Sequence, residues 1–288
     1  MTLVIDFGTV NTVGMVDGRL VTVDGAPWLP SVVHSGVVGV DAVLLGRGQE
    51  LRDLKASMEP SSVGAVFDRM VAAAREQGGN VTDVVVTHPA GWPPERIAVL
   101  TTAAGTSVRT IPEPVAVACS AAPGVSVLVV DAGGGTWDAA VVRDRAVTAA
   151  ESVPVDVDQR IVDRVGPSLS EPVKDDATRA ELKEAVRSGK ELLSRHDIAE
   201  IVLPDHRAVR LTRTEFELLI APDVTRLMAA VSRVTADAPV AGVFLVGGAS
   251  RIPLLALRLS AVTGHHVTAD PEPEAAVARG AAFLARCV

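Results

Sequence analysis

Two segments of the chain share one pattern, in which alternating apolar and polar positions are broken by a glycine-containing turn. The first is LVIDFGTVNTVGMVDGRLVTV over residues 3–23, and the second is LVVDAGGGTWDAAVVRDRAVTA over residues 128–149. Each predicts a strand, a glycine-rich turn, a second strand, a short polar turn and a third strand. The parallel indicates duplicated subdomains, because the repeat is far longer than the period of a solenoid. Two unrelated valine-rich hairpins are the alternative.

Helical and strand patterns alternate after each of these segments. Helical patterns cover residues 63–76, 94–105, 156–165, 177–194 and 274–285, residues 81–90 predict a strand, and residues 240–260 predict a strand, a glycine pair and a helix. Thr212 and Glu215 form a capping box that opens a further helix. This order predicts an α/β protein with two lobes, residues 1–123 and residues 124–288.

The glycine-rich turns suggest chemistry as well as structure. Three consecutive glycines cost roughly 0.5–1 kcal/mol each in backbone entropy relative to alanine, but they let several N–H groups converge on an anion. Thr9 and Thr136 would add hydroxyl donors, and an aspartate near each turn, Asp6 or Asp131, can face a phosphate through Mg²⁺. We therefore expect the two turns to clamp a metal-bound polyphosphate between the lobes. An aspartate and a glycine after a strand are, taken alone, most often just a turn.

Composition and charge narrow the range of partners. The 288 residues carry a formal net charge of −8, which argues against a general nucleic-acid or anionic-membrane surface. The two cysteines, Cys119 and Cys287, do not have metal-ligand spacing, and a reducing compartment is expected. No apolar run approaches the roughly 18 residues of a membrane span, and the N-terminus lacks a leader pattern. We expect a cytoplasmic protein.

Several motifs, in order along the chain, carry a family resemblance. They are IDFGTVNT, TIPEPVAVA, VVDAGGGTWDAAVV, VDQRIVD, SGKELLS, LTRTEF, FLVGGASRIPLL and EAAVARGAA. Together they resemble the ATPase domain of the heat-shock protein 70 chaperones of the DnaK type, within the actin and sugar-kinase superfamily. The resemblance runs from Leu3 to about Ala285. It implies an actin-like ATPase fold, with two ribonuclease-H-like lobes and a nucleotide cleft between them.

The resemblance also implies roles for individual residues. Asp6 and Asp131 match the residues that hold the water molecules of Mg²⁺, and Glu113 matches the residue that orients the attacking water. Lys55, in LRDLKASMEP, is the best counterpart of the catalytic lysine. Phosphate contacts are implied for Gly8, Thr9, Asn11, Gly133, Gly134, Gly135 and Thr136. Contacts to the nucleoside are implied for Lys190, Ser194, Gly247, Gly248 and Arg251.

A proline and an arginine in THPAGWPPER, Pro89 and Arg96, resemble the pair that relays nucleotide state in the chaperones. Pro89 would otherwise simply end a strand. Outside the motif context, Lys190 would be a solvated surface lysine and Glu113 a turn residue.

The chain differs from the family at several positions that match nucleotide-contacting residues. Val153 and Pro154 stand where the family has glycines, and Pro154 lacks an N–H donor. Arg187 and Glu191 exchange the charges found at the corresponding family positions, and Val10 replaces a threonine of the first turn. The chaperones continue into an apolar linker and a peptide-binding β-sandwich, and we expect no counterpart of either within residues 1–288.

Three functions therefore compete. The first is an ATP-binding, slowly hydrolysing switch that uses ATP/ADP and Mg²⁺ and reports to a protein partner or to a C-terminal region. The second is a catalytically silent scaffold for protein–protein contact, favoured by the departures above. The third is a small-molecule kinase or an actin-like polymer, although residues 31–60 offer little beyond His34 and Asp41 for a substrate pocket.

Overall fold

The computed structural model describes residues 1–105 and 108–286, so Cys287 lies outside the described residues. The elements of the first half are β1 (Thr2–Phe7), β2 (Asn11–Val16), β3 (Arg19–Leu20), β4 (Leu29–Pro30), β5 (Val33–His34), β6 (Val37–Val38), α1 (Val40–Gly46), α2 (Leu54–Ser57), α3 (Pro60–Glu76), β7 (Asp83–His88), α4 (Pro94–Ala103), β8 (Val108–Pro112) and α5 (Glu113–Val117). Those of the second half are β9 (Ser126–Ala132), β10 (Thr136–Arg143), β11 (Ala146–Pro154), α6 (Val157–Val165), α7 (Asp176–Leu193), β12 (Ile198–Val202), β13 (Ala208–Thr212), α8 (Arg213–Val234), β14 (Val243–Val246), α9 (Pro253–Thr263), β15 (Val267–Ala269) and α10 (Ala276–Arg286).

The two large sheets repeat one topology. The first has the order β3-β2-β1-β7-β8, with β4 also paired to β2, and the second has the order β11-β10-β9-β14-β15. In each, an antiparallel meander is followed by parallel strands, since β1 runs parallel to β7 and β9 runs parallel to β14. The α/β fold with two lobes is confirmed, and the paired glycine turns occupy equivalent places in the two sheets.

Each sheet is covered by helices, because its central strands are apolar on both faces. In the first lobe Leu3, Ile5 and Phe7 pack against α3, and the Phe7 ring meets Phe67 edge-on with 5.4 Å between centroids. In the second lobe Trp137 and its neighbours on β9 and β10 pack against α8. The predicted capping box opens α8: the Thr212 side chain accepts from the backbone N–H of Glu215, and the Glu215 side chain accepts from the backbone N–H of Thr212.

Helix α10 returns to the first lobe. It packs on β1, β2 and β7 and against α5, and a Cβ on Gly280 would lie 2.0 Å from the carbonyl oxygen of Ala116. The predicted division at residues 123/124 assigns α10 to the second lobe by its position in the sequence. In the structure, however, α10 packs on the sheet of the first lobe. Within residues 1–105 and 108–286, no helix has the length and apolar character needed to cross a membrane.

Candidate functional site

The two glycine turns face each other. The first (residues 8–10) joins β1 to β2, and the second (residues 133–135) joins β9 to β10. A Cβ on Gly134 would lie 2.6 Å from Cγ2 of Val10, and a Cβ on Gly135 would lie 3.1 Å from Cγ2 of Thr9. The glycines of the second turn are therefore needed for the close approach of the lobes, as well as for any ligand.

Three carboxylates lie beside these turns, and we refer to Asp6, Glu113 and Asp131 as the acidic cluster. Asp6 comes from β1 and accepts a hydrogen bond from Thr87 Oγ1 of β7, at 2.6 Å. Glu113 is the first residue of α5, with its side chain only 5% exposed, and Asp131 comes from β9. The ends of parallel strands thus bring the cluster to one edge of each sheet, where the lobes meet.

Lys55 reaches the acidic cluster from α2. Its Nζ donates to Oε1 of Glu113 at 2.7 Å, and its side chain is 16% exposed. Burial alone would lower the pKa of Lys55, but the charges of Glu113, Asp6 and Asp131 outweigh that effect and raise it. Lys55, the lysine that the sequence suggested, is therefore a charged, nearly buried partner of Glu113.

The acidic cluster is short of positive charge. Burial raises the pKa of Glu113 to about 8; Lys55 opposes this shift, and Asp6 and Asp131 add to it. Burial likewise raises the pKa of Asp131 to about 7, opposed by Lys55 and reinforced by Asp138 and Asp6. The pKa of Asp6 is also raised by burial, against Lys55 and the hydrogen bond from Thr87. A cation near these groups would favour their ionised forms.

The cluster suits a hydrated cation better than a directly bound one. Among the described residues, no group of three or more His, Cys, Asp or Glu side chains lies close enough to hold a metal ion by itself. Mg²⁺ usually keeps several of its waters and takes one or two carboxylates together with phosphate oxygens. Asp6 and Asp131, on facing lobes, fit that mode.

A cavity of about 60 Å³ extends from Glu113 and Asp131 between the lobes. It runs beside Pro89 to Glu151 and Ser152 on the edge strand β11. Pro89 and Glu113 thus line the same cavity. Arg96, the other member of the predicted pair, donates from Nη2 to the carbonyl oxygens of Lys55 at 2.6 Å and of Ala56 at 2.9 Å.

The residues predicted to contact the nucleoside form what we call the nucleoside wall: Lys190, Ser194, Gly247, Gly248 and Arg251. The structure brings Gly247 to the acidic cluster, where a Cβ would lie 2.4 Å from Oδ1 of Asp131. Gly248 opens the 3-10 turn Gly248–Arg251. Ser194 makes a long hydrogen bond, 3.4 Å, to the carbonyl oxygen of Lys190 in its own helix.

The charged members of the nucleoside wall already have partners. Lys190 donates to Asp158 at 2.5 Å, and Arg251 makes two hydrogen bonds of 2.8 Å to Glu274. Arg187 and Glu191, the exchanged pair, contact each other at 3.3 Å. Glu191 also lies close enough to raise the pKa of Arg251, after the larger contribution of Glu274. Each cation is thus matched by an acid of this chain.

The segment that contains Val153 and Pro154, where the family has glycines, is hydrogen-bonded to the second glycine turn (residues 133–135). The side chain of Val153 is buried in the second-lobe core, and Pro154 is exposed at the end of β11. The N–H of Val155 donates to the carbonyl oxygen of Gly135 at 3.0 Å, and Arg226 donates to the carbonyl oxygen of Pro154 at 2.9 Å. The expected bulk of Pro154 therefore lies outside the core, at the edge of the sheet.

Sequence reasoning missed several residues of the site. Thr87, Asp158 and Glu274 make direct contacts with predicted residues, and Asp138 accepts from the hydroxyl of Thr136 at 2.8 Å. Thr87 carried a signal, because it is a polar residue at an inward position of the apolar strand DVVVTH. Asp158 and Glu274 lie in polar stretches and had no distinguishing pattern, whereas Asp138 is an acid within the largely apolar strand TWDAAVVR and carried a similar signal.

Two sheets of one topology, with acid-bearing turns facing each other, form the actin-like ATPase fold. Comparison with known proteins specifies the family: the profile described as Hsp70 protein matches residues 46–288. Similar proteins include chaperone protein dnaK3 of Synechococcus elongatus, 31% identical over 81% of this chain and 36% of that protein, and an HscA homolog of Bordetella pertussis, 31% identical over 82% of this chain and 42% of that protein. An HscA homolog of Verminephrobacter eiseniae is 30% identical over 89% of this chain and 46% of that protein. The chain belongs to the Hsp70 family and spans less than half the length of these relatives.

Proposed function

We propose that this protein binds ATP with Mg²⁺, hydrolyses it slowly to ADP and phosphate, and acts as a nucleotide-dependent switch. The observation that carries the proposal is the acidic cluster around Lys55, where buried carboxylates exceed the positive charge that acts on them. A hydrated Mg²⁺ bound to a polyphosphate supplies charge of the missing sign. Membership of the Hsp70 family supports the same conclusion.

Each residue of the cluster has a proposed role in phosphoryl transfer, which depends mainly on positioning and charge neutralisation. Asp6 and Asp131 hold water molecules of the cation, which when bound neutralises charge on the phosphate oxygens. Glu113 accepts a hydrogen bond from the attacking water and orients its oxygen, while Lys55 faces the phosphate that is transferred. The water oxygen bonds to phosphorus as the bond to the ADP oxygen breaks, and the water's proton leaves with the phosphate product.

The two turns and the nucleoside wall would bind the rest of the nucleotide. The N–H groups of Gly133, Gly134 and Gly135 can converge on phosphate oxygens, with the hydroxyls of Thr9 and Thr136 beside them. On the nucleoside side, Lys190 must exchange Asp158 for the ligand, and Arg251 is already engaged by Glu274. We therefore infer that most of the affinity comes from the phosphates and the metal.

A silent scaffold is the second candidate function. It is favoured by the internal pairing of the nucleoside wall and by the contact of Val10 with Gly134 across the lobes. In this function the fold would present a surface to a protein partner without using nucleotide.

Calorimetric titration with ATP in the presence of Mg²⁺ distinguishes the two functions. Saturable binding that is lost when the metal is chelated supports the switch. A melting temperature unmoved by millimolar MgATP, with no heat of binding, would favour the scaffold, because a ligand stabilises only a protein that binds it. Under either function we propose that the chain acts through a protein partner or a C-terminal region.

A further inference from the structure

Trp92 lies between β7 and α4, in the segment THPAGWPPER between Pro89 and Arg96, and no role has been assigned to it above. The backbone N–H of Trp92 donates to the carbonyl oxygen of Pro89 at 3.2 Å, which closes a tight turn. Pro93 and Pro94 follow it directly, and Pro94 begins α4. Proline fixes its own φ and restricts the residue before it. The backbone that carries the indole is therefore held on both sides.

The indole lies near two cations of the site. The guanidinium carbon of Arg96 lies 4.5 Å from the ring centroid, and Nζ of Lys55 lies 5.8 Å from it. Both distances are within the roughly 6 Å over which a cation is attracted to the face of an aromatic ring. Trp92 is also partly buried against the first-lobe core. It can therefore act on the side chains of Arg96 and Lys55 together.

Helix α2, which carries Lys55, needs outside support. It is a single turn of four residues, and both flanking residues, Asp53 (φ 53°) and Met58 (φ 50°), have left-handed backbone conformations. The carbonyl oxygens of Lys55 and Ala56 are satisfied by Arg96. The same arginine that anchors α2 thus stacks on Trp92.

We propose that Trp92 is a positioning residue, whose indole face holds Arg96 and Lys55 so that the Lys55 ammonium stays directed at Glu113. Its catalytic consequence rests on the function proposed above, whereas the geometric part can be tested in the protein without nucleotide. If Trp92 were only a core side chain, removing its π face while keeping apolar bulk would leave the pairing of Lys55 with Glu113 unchanged.

The lysine content makes a direct test possible. The chain has four lysines, Lys55, Lys174, Lys183 and Lys190, and Lys55 alone precedes residue 124. Protein labelled in its lysine side chains gives few NMR signals, and Lys55→Arg assigns the one of interest. The variants are Trp92→Leu, which removes the ring, and Trp92→Phe, which keeps an aromatic face. Trp28→Phe is the control, because Trp28 is 41% exposed and outside the site.

The decisive readout is the response of the Lys55 signal to Glu113→Gln, which removes the charge of its partner. We expect a clear shift in the wild-type background, a shift at least halved with Trp92→Leu, a largely restored shift with Trp92→Phe, and no effect of Trp28→Phe. An equal response with and without the ring would overturn the proposal. Thermal melts of each variant check folding, and Trp92→Met, which also lacks a ring and keeps apolar bulk, replaces Trp92→Leu if that variant does not fold.

Kinetics test the catalytic consequence separately. In single-turnover hydrolysis we expect Trp92→Leu to slow the rate by about tenfold with KM within about twofold, because the lysine is misdirected while binding is kept. Trp92→Phe should recover most of the rate. Failure of the wild-type protein to hydrolyse ATP would contradict the proposed function, and the NMR experiment would still decide the role of Trp92. A normal rate and KM in Trp92→Leu would overturn the catalytic part.

Discussion

The two ends of the cleft differ in how their charges are balanced. At the end that holds the acidic cluster, which we call the phosphate end, three carboxylates lie around Lys55. At the other end, which we call the nucleoside end and which the nucleoside wall forms, the cations are paired with acids of the same chain. Glu113 is almost completely buried, and its pKa is raised to about 8. Arg251 is about half exposed and held by Glu274. The first end therefore carries an excess of buried acidic groups, whereas at the second end Lys190 and Arg251 are each paired with an acid.

This difference indicates which part of a bound nucleotide would contribute most to the free energy of binding. Buried like charges disfavour the ionised state until a cation arrives, so a metal–phosphate complex gains most at the acidic cluster. Exposed ion pairs contribute little to stability, yet they must be exchanged for contacts to the nucleoside. We expect this protein to depend on metal and phosphates more than on the base.

The largest effect is expected at the phosphate end. Asp131→Asn keeps the shape of the side chain but removes the charge that would hold the hydrated cation, so we expect Mg²⁺-dependent ATP turnover to fall by about 100-fold or more. The measurement is steady-state phosphate release. Asp237→Asn, an exposed position in the same lobe, is the control and should be unchanged. Equal turnover in wild type and Asp131→Asn would remove Asp131 from the mechanism.

Gly247 belongs to the nucleoside wall and also lies against Asp131 of the acidic cluster. An alanine at this position should therefore affect both ends of the cleft. Its φ is +81°, and a Cβ would lie 2.4 Å from Asp131 Oδ1 and 2.5 Å from the carbonyl oxygen of Ala132. We expect Gly247→Ala to lower the free energy of unfolding by about 1–3 kcal/mol and to weaken MgATP binding by displacing Asp131. Urea unfolding and calorimetry measure the two effects. In Gly248→Ala, the matched control for stability, a Cβ meets no atom within 4 Å, and an equal loss in the free energy of unfolding would contradict the explanation.

The pH dependence of stability tests the charge deficit directly. Because the pKa of Glu113 is raised from 4.5 to about 8, the folded protein retains a proton that the unfolded chain releases. This contribution is complete below about pH 4.5 and is lost as pH rises through about 8. We expect the melting temperature of the ligand-free protein to fall between about pH 6.5 and 8. The fall should be smaller in Glu113→Gln, with Asp131 accounting for part of the remainder.

The same measurement with MgATP sharpens the comparison. A bound cation favours the ionised carboxylates, so the fall with pH should flatten or reverse. Burial lowers the pKa of His88, so this histidine contributes stability that is lost as pH falls below about 6.5 and opposes the carboxylates only at the acid end of the range. A melting temperature that rises with pH in the ligand-free protein would contradict the assignment.

The smallest effect is expected at the nucleoside end. Exchanging the pair, Arg187→Glu with Glu191→Arg, removes the carboxylate beside Arg251 and offers the base a second guanidinium, so we expect ATP to bind about fivefold more tightly, or about 1 kcal/mol. Calorimetry measures the change. The control exchanges the exposed pair Glu171 and Lys174, which contact each other away from the cleft. No gain, or an equal gain in the control, would argue against a nucleoside at this wall.

The sequence alone predicted much of the fold because its signals are local. Alternation marked the strands β1, β2, β9 and β10, and the glycine turns fall where the pattern predicted them. The capping box of Thr212 and Glu215 needs only four consecutive residues, and it is present. The return of α10 to the first lobe was not predicted, since an alanine-rich helix carries no information about which sheet it covers.

The sequence by itself determined the two-lobed α/β fold and the presence of an acid and a glycine turn in each lobe, because periodicity and turn chemistry depend on neighbouring residues. Only the tertiary structure decided how charge is distributed around them. The contact of Lys55 with Glu113 joins residues 58 positions apart, and that of Lys190 with Asp158 joins residues 32 apart. Whether a charge is buried or paired depends on the groups that packing brings within a few ångströms. Packing alone therefore gives the phosphate end its excess of buried carboxylates and gives each cation of the nucleoside end an acidic partner.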